Sequence, residues 1–108
     1  MAGMFDKLGD VERRFFEIES RLSDPELGNK PDEFRRLSRE HSSLQEIVRE
    51  FREHQRLEAE QLSNRELLAE KDAELAQMAR DELKRVEPEL EASAQRLKIL
   101  LLPKDPND

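Results

Sequence analysis

The sequence predicts an all-α fold, an antiparallel three-helix bundle in which a short helix 1 packs on a long helix 2/helix 3 coiled-coil hairpin. Three observations carry that prediction. Apolar residues recur at steps of three and four along most of the 108 residues, the spacing that holds them on one helical face. The three glycines and five prolines fall mostly at the edges of those stretches, so little interrupts them. Charged residues make up 42% of the chain and aromatics 5%, and Ala, Glu, Lys, Leu and Arg dominate, as in long helices. So high a charge content would also suit disorder, but a disordered chain would not keep the period.

Helix 1 is expected over about residues 4–22. Phe5, Leu8, Val11, Phe15, Ile18 and Leu22 follow one another at steps of three and four. Asp10–Arg14 and Glu17–Arg21 add i,i+4 pairs on the wet side. Met1-Ala2-Gly3 stands ahead of Met4 and reads as an extension before an internal start. Ser23-Asp24-Pro25 ends the helix, and Gly28-Asn29 continues the loop.

Helix 2 is expected over about residues 31–69. Pro31 suits a first helical turn, where its missing donor costs nothing, and Asp32 and Glu33 favour the positive end of the dipole. Phe34, Leu37, His41, Leu44, Val48 and Phe51 then form a heptad seam. The same register next reaches Gln55 and Glu58 before Leu62, so the seam weakens, and Leu57, Leu67 and Leu68 fall partly off it. Helix 3, over about residues 73–101, shows the stripe Leu75, Ala79, Leu83, Val86, Leu90, Ala94, Leu97 and Leu101. Asp72 is its expected N-cap, although Ser63-Asn64-Arg65-Glu66 has the form of a competing capping box. Pro88 should kink or weaken the helix, at roughly 3 kcal/mol if nothing relieves it. Pro103 stops it, and residues 103–108 read as the start of an interdomain linker. At least one of Leu100, Leu101 and Leu102 is expected to be exposed. At ~1.5 Å per residue helix 2 would run ~57 Å, twice the reach of helix 1, which suggests a three-helix base carrying a two-helix arm.

Composition closes several routes to function. Without cysteine there is no disulfide, thiolate metal site or cysteine nucleophile. No apolar run nears the ~18 residues a membrane span needs, and no signal-peptide core is seen, so the expected compartment is the cytoplasm. A net charge of −7 speaks against DNA or RNA binding by overall electrostatics. Neither a phosphate-binding glycine loop nor a dinucleotide fingerprint is present. Of the two histidines, His41 is expected to pack in the seam and His54 to lie on a charged surface. Thirteen residues apart on one helix, they would be ~20 Å from each other and share no metal. Carboxylates such as Glu87, Glu89 and Glu91 read as a solvated face. No catalytic residue, metal or cofactor is expected. The one local basic cluster, Arg35, Arg36 and Arg39 with Lys30, suits a phosphate or an acidic protein patch.

Two segments carry a more specific likeness. Leu100-Leu101-Leu102-Pro103-Lys104-Asp105-Pro106-Asn107-Asp108 resembles the stretch that closes the N-terminal domain of the bacterial class I peptide chain release factor 1 family. Phe34-Arg35-Arg36-Leu37-Ser38-Arg39-Glu40-His41-Ser42-Ser43-Leu44 is similar to that family's second-helix segment, which typically has an aromatic at the place of His41. Met78-Ala79-Arg80-Asp81-Glu82-Leu83 matches its third-helix pattern.

The resemblance implies a domain of a factor that recognises UAA and UAG stop codons and triggers hydrolysis of peptidyl-tRNA. It implies as partners the ribosome, at its stalk-base protein and GTPase-associated RNA region, and functionally the class II release factor GTPase. The family's Gly-Gly-Gln and Pro-x-Thr motifs have no counterpart here, so no catalytic or codon-reading residue carries over. The expected contacts are the Arg35/Arg36/Arg39 face or the helix 2/helix 3 turn, with Leu67, Leu68 and Lys71. An intramolecular bundle predicts a monomer; the competing reading, a generic helical scaffold or coiled-coil oligomer, predicts association between copies.

Overall fold

A computed structural model describes residues 3–103. Met1 and Ala2 of the expected extension and residues 104–108 of the expected linker lie outside the described residues. The fold is all-α. Its elements are α1 (Met4–Leu22), a 3-10 turn (Pro25–Asn29), α2 (Pro31–Leu67) and α3 (Ala73–Leu100). Between Arg49 and Glu50 the chain divides into two compact units.

The first unit holds α1, the 3-10 turn and the opening of α2. Gly3 is the N-cap of α1, its N–H donating to the Asp6 carboxylate at 3.1 Å. At the other end the Ser23 hydroxyl donates to the Glu19 carbonyl, and Pro25 prevents a further helical turn. Asp24 then caps the 3-10 turn by accepting from the Glu26 N–H at 2.9 Å. This turn carries Leu27 inward, where it is 1% exposed beside Ile18 and Leu37, with Leu22 and Leu44 packed around them. Two ion pairs set the register of α1 on α2: Arg14–Glu40, a two-pronged contact, and Arg21–Glu33. Seven residues forward on α1 meet seven residues back on α2, so the helices are antiparallel with equal rise. His41 is half-buried and stacks on Phe15 at 4.4 Å between ring centres. Phe34, expected in the seam, is 47% exposed instead. Leu27, brought in by the turn, packs with Ile18 and Leu37.

The second unit holds the rest of α2 and α3. Glu50 meets Arg96, and Glu60 meets Arg85. Ten residues forward on α2 correspond to eleven back on α3, again an antiparallel pair. The buried side of α2 here is Phe51, His54 and Leu57, which corrects the expected continuation through Gln55, Glu58 and Leu62. Gln55 and Glu58 are exposed, and so is Leu62. Two charged or amide side chains would lose their hydration on a strict heptad, whereas a step of three brings Leu57 into the core. His54 goes with that shift: it is 5% exposed, not a surface residue, and its Nε2 lies 3.5 Å from Glu58.

On α3 the buried residues are Ala76, Ala79, Leu83, Val86, Ser93 and Leu97. Leu75 and Ala94 were expected in that stripe, but Leu75 is exposed and Ala94 only half-buried. Ser93 is fully buried because its hydroxyl has a partner, donating to Glu50 at 3.0 Å; the same carboxylate oxygen accepts from Arg96 Nε at 2.9 Å. The helix continues through Pro88. Pro88 and Lys84 are both exposed, so the carbonyl that loses its donor can turn to water. Asp72 caps α3 by accepting from the Glu74 and Leu75 N–H groups. The helix closes at Leu101, and Leu102 is left 65% exposed.

Candidate interaction surfaces

The described residues contain no group of three His, Cys, Asp or Glu side chains placed to hold a metal. The residues expected to make contacts fall at two places, one in each unit.

The first is the opening of α2. Pro31, Arg35 and Arg39 succeed one another at i, i+4 and i+8, a single stripe of the helix. Arg35 is exposed and reaches back one turn to Asp32 at 2.7 Å. Arg36 faces a different environment. Its neighbours Glu33 and Glu40 are both held below the ordinary carboxylate range, chiefly by hydrogen bonds from Arg21 and Arg14, with a smaller contribution from the Arg36 charge. Arg39 is exposed and makes no ion pair among the described residues. Beside this stripe lies a groove of about 300 Å³ lined by Leu27, Gly28, Pro31, Phe34 and Arg35. Sequence periodicity missed the groove because it assigned Phe34 to the seam. The signal that could have revealed it is the leucine inside Pro25-Glu26-Leu27-Gly28-Asn29, an apolar residue in a turn that has to be buried somewhere.

The second place is the connection between α2 and α3. The last helical turn tightens: the Leu68 N–H still reaches the Asn64 carbonyl, but Ala69 and Glu70 bond to Glu66 and Leu67, three residues back. The Asn64 side chain donates to the Glu60 carbonyl at 2.8 Å. Leu67 is half-buried, while Leu68 and Lys71 are exposed. On α3, Leu75 and Met78 are exposed one turn apart, so the turn end of this unit presents apolar surface that the stripe of α3 did not predict. A network of Glu53, Arg56, Glu60, Arg85 and Glu82 runs along the flank of the same unit. Hydrogen bonds from Arg56 keep Glu53 below the usual carboxylate range, and Arg85, which donates to Glu82 and Glu60, is raised by them.

Neither place assembles a nucleophile with a base. Both are surfaces, built of cations and exposed apolar side chains on rigid helices. Among the described residues no helix is long and apolar enough to cross a membrane.

An all-α helical domain is therefore the class of protein that the fold defines. Residues 11–108 match the PCRF domain, and the chain belongs to that family. It is 49% identical over 106 residues to peptide chain release factor 1 of Geotalea uraniireducens, a match covering 97% of this chain and 29% of that protein. Peptide chain release factor 1 of Geobacter sulfurreducens is 47% identical over 106 residues, with the same two shares, and that of Caldicellulosiruptor bescii is 42% identical over 110 residues, 97% of this chain and 30% of the relative. The chain thus spans under a third of the length of these relatives, corresponding to their N-terminal region. No solved structure matches it.

Proposed function

We propose that this chain is the non-catalytic N-terminal module of a class I release factor, which in full length terminates translation at UAA and UAG codons in the cytoplasm. Its work is to contact the ribosome near the stalk base and GTPase-associated RNA, and to couple the factor to the class II release factor GTPase. It does so as a monomer, through the α2/α3 turn or the Arg35/Arg36/Arg39 face.

The observation that carries this reading is the likeness, over 97% of the chain, to proteins named peptide chain release factor 1. Two further features support the division of labour. Its three glycines, at positions 3, 9 and 28, are never adjacent, so a Gly-Gly-Gln hydrolysis motif has no place in this sequence. Both surfaces offer recognition chemistry without reacting groups.

The test is made in the full-length factor, with Arg35, Arg36 and Arg39 reversed to Glu, or with residues 67–73 shortened. Single-round peptide release at saturating factor should remain near wild type, while ribosome affinity or turnover with the class II factor falls. Unchanged kinetics in both variants would refute the assignment of contact to these surfaces. Stop-codon-dependent peptide release by the 108-residue chain alone would refute the non-catalytic reading.

A further inference from the structure

We propose that the groove at the opening of α2, with Arg35 and Arg39 along it, is a docking slot for a short acidic protein segment carrying one large apolar side chain. This rests on the reading of the chain as an interaction module and names the chemistry of what that face takes.

The floor of the groove is apolar. Leu27 lies beneath it, Pro31 and Phe34 form its walls, and Phe34 keeps nearly half its surface in water. At about 300 Å³ the space is at the lower end for ligand clefts, ~300–1,000 Å³, and suits one inserted side chain rather than a whole small molecule. Gly28 also lines the groove, and a Cβ built there would meet nothing within 4 Å.

Charge selects the occupant. Within this unit the ion pairs Arg14–Glu40 and Arg21–Glu33 neutralise each other across the helices. Arg35 is tied to Asp32 through one nitrogen only and keeps donors in its fork for another carboxylate. Arg39, one turn further along the same stripe, has no ion pair among the described residues. In a chain of net charge −7, the stripe is locally cationic beside an apolar slot. An acidic segment with a Leu or Phe would fill the slot and place its carboxylates on Arg35 and Arg39. A nucleic-acid backbone fits less well. Its sugar–phosphate repeat carries no aliphatic or phenyl group to fill the slot.

The test uses the 108-residue chain and a fluorescein-labelled seven-residue peptide with a central Phe flanked by aspartates, read by fluorescence polarisation at low salt. Saturable binding that weakens with salt is expected, with Kd raised about tenfold or more when the peptide's Phe becomes Ser, the order lost when a buried aromatic anchor is removed. R35E/R39E should have a comparable effect, and G28F should block the slot without disturbing the fold, since its side chain enters open space. R13E, on exposed α1 surface, should bind like wild type.

Absence of binding up to millimolar peptide, or binding indifferent to both the peptide's Phe and G28F, would overturn the proposal. So would tighter binding of an oligouridylate of equal length to the same face. The peptide-side substitution needs no protein variant, so it decides even if a variant folds poorly. Because the assay contains no ribosome, its failure is separate from failure of the termination reading.

Discussion

Leu57 and Leu62 offer a direct test of which face of α2 is buried in the second unit. A strict continuation of the heptad would bury Leu62 and leave Leu57 aside; the structure has Leu57 at 1% exposure and Leu62 at 61%. Leu→Ala removes three carbons' worth of apolar surface, about 2.4 kcal/mol at ~0.8 kcal/mol per buried CH₂. The cavity left behind adds to this, giving roughly 3–4 kcal/mol for Leu57→Ala. For Leu62→Ala only the buried share counts, about 1 kcal/mol at most, and the better helix propensity of Ala offsets a few tenths of that. The two variants should differ by about 2–3 kcal/mol. Urea unfolding followed by far-UV circular dichroism is the assay, because the chain has no Trp or Tyr to report by fluorescence. At a slope of about 1–3 kcal/mol per molar urea, the Leu57→Ala midpoint should fall by one molar or more while that of Leu62→Ala barely moves. Equal losses, or a larger loss at Leu62, would refute the register described here.

Three other outcomes follow from single features. Asp72→Ala removes the acceptor for two N–H groups at the start of α3 and should cost about 1 kcal/mol, with faster amide exchange at Glu74 and Leu75. Pro88→Ala restores a backbone donor in an exposed helix interior and should stabilise the chain by about 1–3 kcal/mol, visible as a higher unfolding midpoint. Acid should weaken the first unit in a defined window. Glu33 and Glu40 hold protons less tightly folded than unfolded, because Arg21 and Arg14 donate to them. Their contribution is complete above the unfolded carboxylate value, about pH 4.3, and is lost as pH falls through the lower folded values. Stability against urea should therefore be flat from neutral pH to about 5 and decline below that, and the E33Q/E40Q variant should show a shallower acid limb.

Much of the fold was legible because period and punctuation agree. Ile18, Leu37, Val48, Phe51, Leu83, Val86 and Leu97 lie inside, where steps of three and four place them, and Asp72 caps α3 as its position suggests. The misplacements share one cause. Periodicity finds an apolar face but cannot see what competes for it. Leu27 is buried because a 3-10 turn folds it inward, while Phe34 stays half in water. Ser93 enters the core only because Glu50, forty-three residues earlier, accepts its hydroxyl hydrogen. His54 was read as surface because its sequence neighbours are charged, yet a helix separates neighbours by about 100° and the deciding contacts are three and four residues away. The candidate surface was legible as a set of cations and hidden as a shape, since the groove needs the turn to exist.

The arginines show why a basic cluster in a sequence is not yet a binding site. Arg35, Arg36 and Arg39 are equivalent in composition, but the fold grades them. Arg36 stands beside Glu33 and Glu40, carboxylates already committed to α1, so its field is partly cancelled where it emerges. Arg35 is half-committed to Asp32. Neither Arg36 nor Arg39 enters an ion pair among the described residues, and an incoming carboxylate at Arg39 displaces no internal partner. The same pairs that set the register of α1 on α2 therefore decide which charges remain for a partner. This is how a chain of net charge −7 can still present a cationic edge: Arg35 and Arg39 lie on one stripe at the opening of α2, next to an apolar slot.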